Sequence, residues 1–266
     1  MNGRVLIVAG SDSGGGAGIQ ADIKTVTMLG AFAMTAVTAL TAQNTEGVFG
    51  VLPIPPAFIR QQIEIVLDDI GADALKTGML HDAAVIEIVS AVIAERAPAV
   101  PLVVDPVMVA KGGAPLIEAG AIDALKRLLA SRAAVLTPNL PEAEILAGHA
   151  ISDLAGMQQT ATELLGLGCR AVLLKGGHLP GDTVYDVLAT GPGVRVWDSP
   201  RIDSRHTHGT GCTLASAIAA GLAQGLEIEP AVERARVYVQ RAIATAPGLG
   251  HGHGPLDHAH PLRLPH

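Results

Sequence analysis

The sequence predicts one α/β domain built on a mostly parallel sheet with helices on both faces. Three observations carry this. Short uninterrupted apolar runs alternate with segments of helical period, the alternation breaks once into a turn-centred pair of strands, and no linker rich in Pro, Gly or Ser divides the 266 residues. The runs are residues 5–9, 34–39, 102–104, 133–136 and 171–174. Runs this short, rich in β-branched residues and ended by turn signals, read as strands buried on both faces. Helices are expected over residues 18–29, 56–70, 83–94, 122–130, 154–167, 213–224 and 230–244. Pro56 and Pro230 suit a first helical turn, where the missing N–H leaves nothing unsatisfied. Strands joined through helices of this length form crossover units and hence a parallel sheet. Residues 184–188 and 194–197 instead flank Thr190-Gly191-Pro192-Gly193, which predicts a β-hairpin near 183–198.

Composition narrows the function. Hydrophobic residues make up 49% and charged residues 16%, enough for a sizeable core, and with aromatics at 2% that core is aliphatic. A net charge of −7 argues against a nucleic-acid surface, so an anionic ligand must be met by local donors. Two cysteines, Cys169 and Cys212, make no disulfide framework and suit a reducing cytoplasm. The first ten residues carry only five consecutive apolar positions, too few for a signal peptide, and no run has the length and character of a membrane span. From Gly248 onward the chain is rich in Gly and Pro and holds five of the ten histidines. These lack helical i, i+4 pairing and an accompanying Cys, so a plain or packed-down tail is expected rather than a metal site.

Ligands of parallel sheets bind beyond the carboxyl ends of the strands, and special residues follow each predicted strand. Residues 10–18 form a glycine-rich loop that lets a ligand approach the backbone. It is neither a Walker loop, having no Gly-Lys-Ser/Thr, nor a dinucleotide fingerprint, since Ile19 stands where a third Gly is required. This disfavours a nicotinamide-dependent oxidoreductase. Asp105 ends a strand before Pro106 and suits either a turn cap or a Mg²⁺-bound water. The small-residue segment 110–113 carries Lys111, which could fold over a phosphate. Asn139 and Glu142, three apart, suit a helix cap as well as a metal. Lys175, followed by two glycines, fits a point charge for phosphate. The sharpest feature is Thr207-His208-Gly209-Thr210-Gly211-Cys212-Thr213, a glycine-rich turn opening a small-residue helix, where unpaired N–H groups and the positive dipole end meet. A helix N-terminus also tends to lower a thiol's pKa, which makes the Cys212 thiolate available, against the alternative of a small packing residue.

Taken together, residues 10–24, 105–113, 139–142, 175–178 and 207–213 resemble the ribokinase superfamily, and within it the bacterial hydroxymethylpyrimidine/phosphomethylpyrimidine kinases of thiamin synthesis. The order and spacing match over essentially the whole chain, including residues 17–22, 40–45 and His253-Gly254-Pro255-Leu256. Gly14 and His206 depart from the usual pattern without touching its phosphate chemistry. The resemblance implies a single-domain, ribokinase-like, three-layer α/β/α fold and two ATP-dependent phosphorylations of one pyrimidine. It implies that Gln43 and Asp22, with the backbone at Gly10 and Val107, hold the ring. Asp105 and Glu142 would organise Mg²⁺ with Asn139 helping, and Lys175 would meet the nucleotide phosphates. The 110–113 segment would close as a flap, and Gly209, Thr210, Gly211 and Cys212 would form the anion hole, with Cys212 in place of the superfamily's usual aspartate base. A homodimer is also implied. Pyridoxal kinase is the nearest alternative, its acceptor again being a hydroxymethyl group on a nitrogen heterocycle. A non-catalytic pyrimidine-binding protein is a further alternative, although it would be expected to have lost Asp105, Glu142, Lys175 or Cys212.

Overall fold

A computed structural model describes residues 1–108, 118 and 120–263. The first strand, β1 (Arg4–Asp12), leads through a glycine loop into α1 (Gly18–Met28). Next come β2 (Phe32–Gln43), β3 (Val48–Pro53), α2 (Pro56–Asp69), β4 (Ala74–Thr77), α3 (Ala83–Arg96) and β5 (Leu102–Val104). The helix expected at 122–130 is one α-turn, α4 (Ala121–Ala124), which widens into a π turn (Leu125–Leu129) and tightens into a 3₁₀ turn (Ala130–Arg132). The rest of the chain gives β6 (Val135–Leu136), α5 (Leu140–Ala147), α6 (Leu154–Leu164), β7 (Ala171–Lys175), β8 (Thr183–Thr190), β9 (Gly193–Pro200), α7 (Thr210–Ala223) and α8 (Ile228–Ala244).

Among the described residues these strands form one sheet of nine, in the order β3-β2-β1-β4-β5-β6-β7-β8-β9. The centre is parallel, and the antiparallel pairs β2/β3, β7/β8 and β8/β9 close its two ends. The β8/β9 pair is the hairpin expected from the Gly-Pro turn. Strand order reverses between β1 and β4, so the crevice beyond their carboxyl ends is the natural ligand site of such a sheet.

The alternation of side chains along each buried strand builds two cores. Leu6 and Val8 of β1 face α2 and α3 through Ile59, Ile63, Ile86 and Val89. Val5 and Ile7 face α1, α7 and α8 through Val26, Ala215, Ile218 and Val239. Helix α7 is almost entirely small residues because it lies tight against α8: a Cβ added at Gly221 would stand 2.8 Å from the Ala231 methyl.

Three elements escape the sequence pattern for physical reasons. Strand β3 is an exposed edge with no buried stripe to mark it. Strand β4 has Lys76 in its middle, which breaks the apolar run although every residue of the strand is buried. Helix α7 starts at Thr210 rather than 213, because Gly211 continues the helix instead of preceding it. The tail expected from Gly248 is packed down in part, with Leu256, Asp257 and His258 buried.

Replacing fully buried Ile63 with Ala removes methyl groups on which α2 rests and is expected to destabilise the fold by about 2–5 kcal/mol. Urea unfolding should show a lowered midpoint at unchanged slope, whereas a midpoint matching that of the wild type would mean that this face is not a packed core.

Candidate active site

The site is assembled from the carboxyl ends of β1, β2, β5, β6 and β7 and from the N-terminus of α7. Asp12, the last residue of β1 and nearly fully buried, organises the first loop. Its carboxylate accepts the backbone N–H groups of Gly14 at 2.7 Å, Gly16 at 3.0 Å and Ala17 at 2.7 Å. The same carboxylate meets Nε2 of His208 at 2.9 Å, which ties the loop after β1 to the turn before α7. Burial by itself would raise the Asp12 carboxyl, but His208 and the loop N–H groups outweigh it and hold the group below its ordinary value.

The turn before α7 is built by glycine. Gly209 caps the helix with φ of 81°, a left-handed conformation, and a Cβ there would collide with the carbonyl of Gly16. Two backbone loops from opposite ends of the chain therefore touch at a point where no side chain fits. At Gly211 a Cβ would lie 3.3 Å from Lys175 Nζ and 3.7 Å from Asp105 Oδ2, so the anion-attracting turn faces that ion pair directly. The Thr210 hydroxyl at 2.7 Å and its N–H at 3.4 Å both donate to the carbonyl of Thr207, which leaves the N–H groups of Gly209, Gly211 and Cys212 as the donors of the turn.

Lys175 Nζ lies 3.0 Å from Asp105 Oδ1 and 4.0 Å from Glu142 Oε2. Asp105 is further fixed by the Thr137 hydroxyl at 3.2 Å. Asn139 and Glu142 form a reciprocal capping box at the start of α5, in which Asn139 Oδ1 accepts from the Glu142 N–H at 2.9 Å and Glu142 Oε2 accepts from the Asn139 N–H at 2.8 Å. The cap and the site thus share the same atoms. Burial pushes the Glu142 carboxyl up to about 7, with Lys175 opposing and the Asp105 carboxylate adding to the rise. Two crowded carboxylates, one of them reluctant to ionise, fit a cation that brings its own remaining ligands, as Mg²⁺ does when it travels on a nucleotide. Among the described residues there is no group of three or more metal-binding side chains that would hold an ion unaided.

Of the residues expected at the acceptor ring, Gly10 is buried with the Met79 sulfur 3.4 Å from where a Cβ would sit, and Val107 is half-buried just past Asp105. Gln43 is half-buried at the end of β2, its backbone paired with the Ser13 hydroxyl at 2.8 and 2.9 Å. Asp22 sits deeper than these three. It is fully buried, its oxygens lie 2.9 and 3.0 Å from Lys76 Nζ, and Oδ1 also accepts from the Ser216 hydroxyl at 2.6 Å. A buried lysine lies against both of its oxygens, because a carboxylate this deep needs a counterion. Burial pushes Asp22 up while Lys76 pulls it back, and against burial the Asp22 carboxylate holds Lys76 above its ordinary value. Lys111 and the 110–113 segment lie outside the described residues.

Lys76 is the residue that sequence reasoning missed, and its signal was a single charge between Ala74-Leu75 and Met79-Leu80. Its charge bears on Cys212. A helix N-terminus would lower the thiol, but burial dominates and pushes Cys212 up to about 12, with the Lys76 ammonium opposing. The expected low thiol pKa is therefore not met.

Compared with known proteins, residues 12–257 match the family model for phosphomethylpyrimidine kinase. The chain is 48% identical to the hydroxymethylpyrimidine/phosphomethylpyrimidine kinase of Bacillus subtilis, covering 96% of this chain and 94% of that protein. It is 54% identical to a thiamine biosynthesis bifunctional protein of Geobacter sulfurreducens over 96% of its own length, but it spans only 52% of that longer relative. Among solved structures, an ADP complex of Bacillus subtilis pyridoxal kinase superposes with a TM-score of 0.91 at 38% identity, covering 97% of this chain and 98% of that one.

Lys76→Met leaves the buried Asp22 carboxylate without a counterion and should destabilise the fold by about 3–5 kcal/mol, whereas combining it with Asp22→Asn should restore much of that loss. Thermal or urea unfolding of the two single variants and the double variant tests this, and additive losses would refute the pairing.

Proposed function

Because the chain belongs to the phosphomethylpyrimidine kinase family, we propose that it transfers the γ-phosphoryl group of ATP to the hydroxymethyl oxygen of 4-amino-5-hydroxymethyl-2-methylpyrimidine. A second transfer to the resulting monophosphate then yields the pyrophosphate used in thiamin biosynthesis. The observation that carries this reading is the convergence of the Gly209–Cys212 turn on Lys175 and Asp105, with Lys175 Nζ 3.3 Å from the open position at Gly211. Phosphoryl transfer passes through a loose transition state in which positioning and charge stabilisation dominate. A turn of backbone N–H groups facing a lysine suits that demand.

In this reading Lys175 meets the nucleotide phosphates and the N–H groups of Gly209, Gly211 and Cys212 receive the phosphoryl group in transit. Gln43, Gly10 and Val107 line the ring. Asp22 acts only from below, by fixing Lys76. Asp105 and Glu142, with Asn139 orienting Glu142, would hold Mg²⁺, which neutralises phosphate charge when bound. Lys111 is assigned to the flap by resemblance alone. The reading also includes a cytoplasmic homodimer that binds no nucleic acid. Both cysteines are free, and among the described residues no helix is long and apolar enough to cross a membrane.

Cys212 meets the acceptor hydroxyl. Burial pushes its thiol up to about 12, so it keeps its proton in the ligand-free site. It can act as base only if that proton leaves as substrates bind, and as a thiol it positions the hydroxyl. In the second round the acceptor is a phosphate that is already ionised, with no hydroxyl proton to remove.

ATP consumption should be high with hydroxymethylpyrimidine and with its monophosphate, and lower with pyridoxal as judged by kcat/KM. Preference for pyridoxal would transfer the assignment to the vitamin B6 kinases, which the structural likeness to pyridoxal kinase makes the specific rival. Single-turnover assays of Cys212→Ala should show a larger loss in the first phosphorylation than in the second. A first-round loss of about 10²–10⁴-fold marks a base and a smaller one a positioning group, while equal losses in both rounds would overturn any contact with the hydroxyl proton.

A further inference from the structure

The histidine- and glycine-rich C-terminal segment crosses the structure at the anion-attracting turn. Gly252 donates its N–H to the Thr45 hydroxyl at 3.2 Å, and His253 donates its own to the Thr45 carbonyl at 2.7 Å, fastening the segment to the loop between β2 and β3. His253 Nδ1 lies 3.1 Å from the carbonyl of Arg205. One residue on, the Gly254 carbonyl accepts the N–H of His208 at 3.2 Å, in a parallel bridge that joins His208 to Pro255. Close approach is built into this path. A Cβ at Gly252 would collide with the Thr45 carbonyl, and one at Gly254 with the His206 ring. Pro255 stands 3.3 Å from where a Cβ on Gly16 would be, so the segment also touches the first glycine loop.

The chain then turns inward. His258 is 5% exposed and its Nε2 lies 3.0 Å from Oγ1 of Thr213, which is fully buried in the first turn of α7, one residue past Cys212. The His258 carbonyl accepts the Tyr238 hydroxyl at 2.7 Å, and Asp257 donates its N–H to the Ala242 carbonyl at 2.9 Å, so the imidazole is held from α8 on one side while it holds α7 on the other. Burial lowers His258 to about 4, leaving a neutral ring for the bond to Thr213. The turn His208–Thr213 is thus held at its front by Gly254 and at its back by His258. Glycine-rich turns resist such placement, because each residue has wide conformational freedom to lose.

We propose that the segment from Gly252 to His258 is a working part of the phosphoryl-transfer site, and that His258 is a positioning residue for the anion-attracting turn, acting through Thr213. The proposal rests on the functional reading above. The turn's N–H groups act on charge that develops in the transition state, and a loosened turn therefore lowers kcat more than it raises KM.

The test compares His258→Ala, Thr213→Val and His258→Gln in the full chain. Steady-state kinetics with hydroxymethylpyrimidine and ATP, thermal unfolding, and amide hydrogen exchange over residues 208–213 of the ligand-free protein supply the readouts. His258→Ala and Thr213→Val should each lower kcat about 10-fold, the size of one lost hydrogen bond, with KM for both substrates nearly unchanged and faster exchange in the turn. His258→Gln, which can still reach Thr213, should recover most of the rate. A lowered thermal midpoint with unchanged kcat and unchanged exchange would overturn the proposal and leave His258 a packing residue. Should His258→Ala not fold, Thr213→Val and His258→Gln decide by the same criteria. If the wild-type chain fails to turn over the pyrimidine, the functional reading falls by itself, and the exchange measurement still decides whether the segment holds the turn.

Discussion

Everything at the site depends on a contact between two backbones, the carbonyl of Gly16 and the α-carbon of Gly209, which approach more closely than any side chain would allow. The Asp12 carboxylate holds that contact in place. It gathers the N–H groups of the first loop and then takes the His208 ring, so that β1 and the start of α7, 196 positions apart, share one anchor. A buried carboxylate is stable only when fully paired. The pairing that keeps Asp12 ionised is therefore the same pairing that draws the two loops together.

Charge is layered around this anchor in a way that an acidic chain requires. The overall charge of −7 would repel a nucleotide, yet the turn before α7 presents N–H groups and a helix dipole opposite Lys175. Behind the turn lies a second lysine, Lys76, neutralised by Asp22 and so unable to compete for ligand, but still charged and close enough to influence the Cys212 thiol. In front, Lys175 bridges Asp105 and Glu142.

Much of this was legible from the chain. The parallel centre, the hairpin at β8/β9 and the strand-end motifs at Asp105, Asn139–Glu142, Lys175 and Gly209–Cys212 all lie where periodicity and turn chemistry put them. Local rules suffice there, because a strand buried on both faces must be apolar throughout and a helix must be capped. Strand β4 was hidden by Lys76, since a charge in a buried strand makes sense only with its partner, and Asp22 lies 54 positions away on α1. The same distance hides the ion pair that Asp22 makes with that lysine.

The sequence by itself determined the fold class, the place of the strand-end motifs and the glycine positions on which the turn before α7 depends, because these follow from patterns a few residues long. Only the tertiary structure decided protonation and partnership. Whether Cys212 gains from a helix dipole or loses to burial depends on how deeply packing places it, and burial prevails. Whether a histidine-rich tail is loose or structural depends on what it packs against, and His258 is buried against Thr213. Desolvation and pairing are properties of the assembled neighbourhood, and no window along the chain contains them.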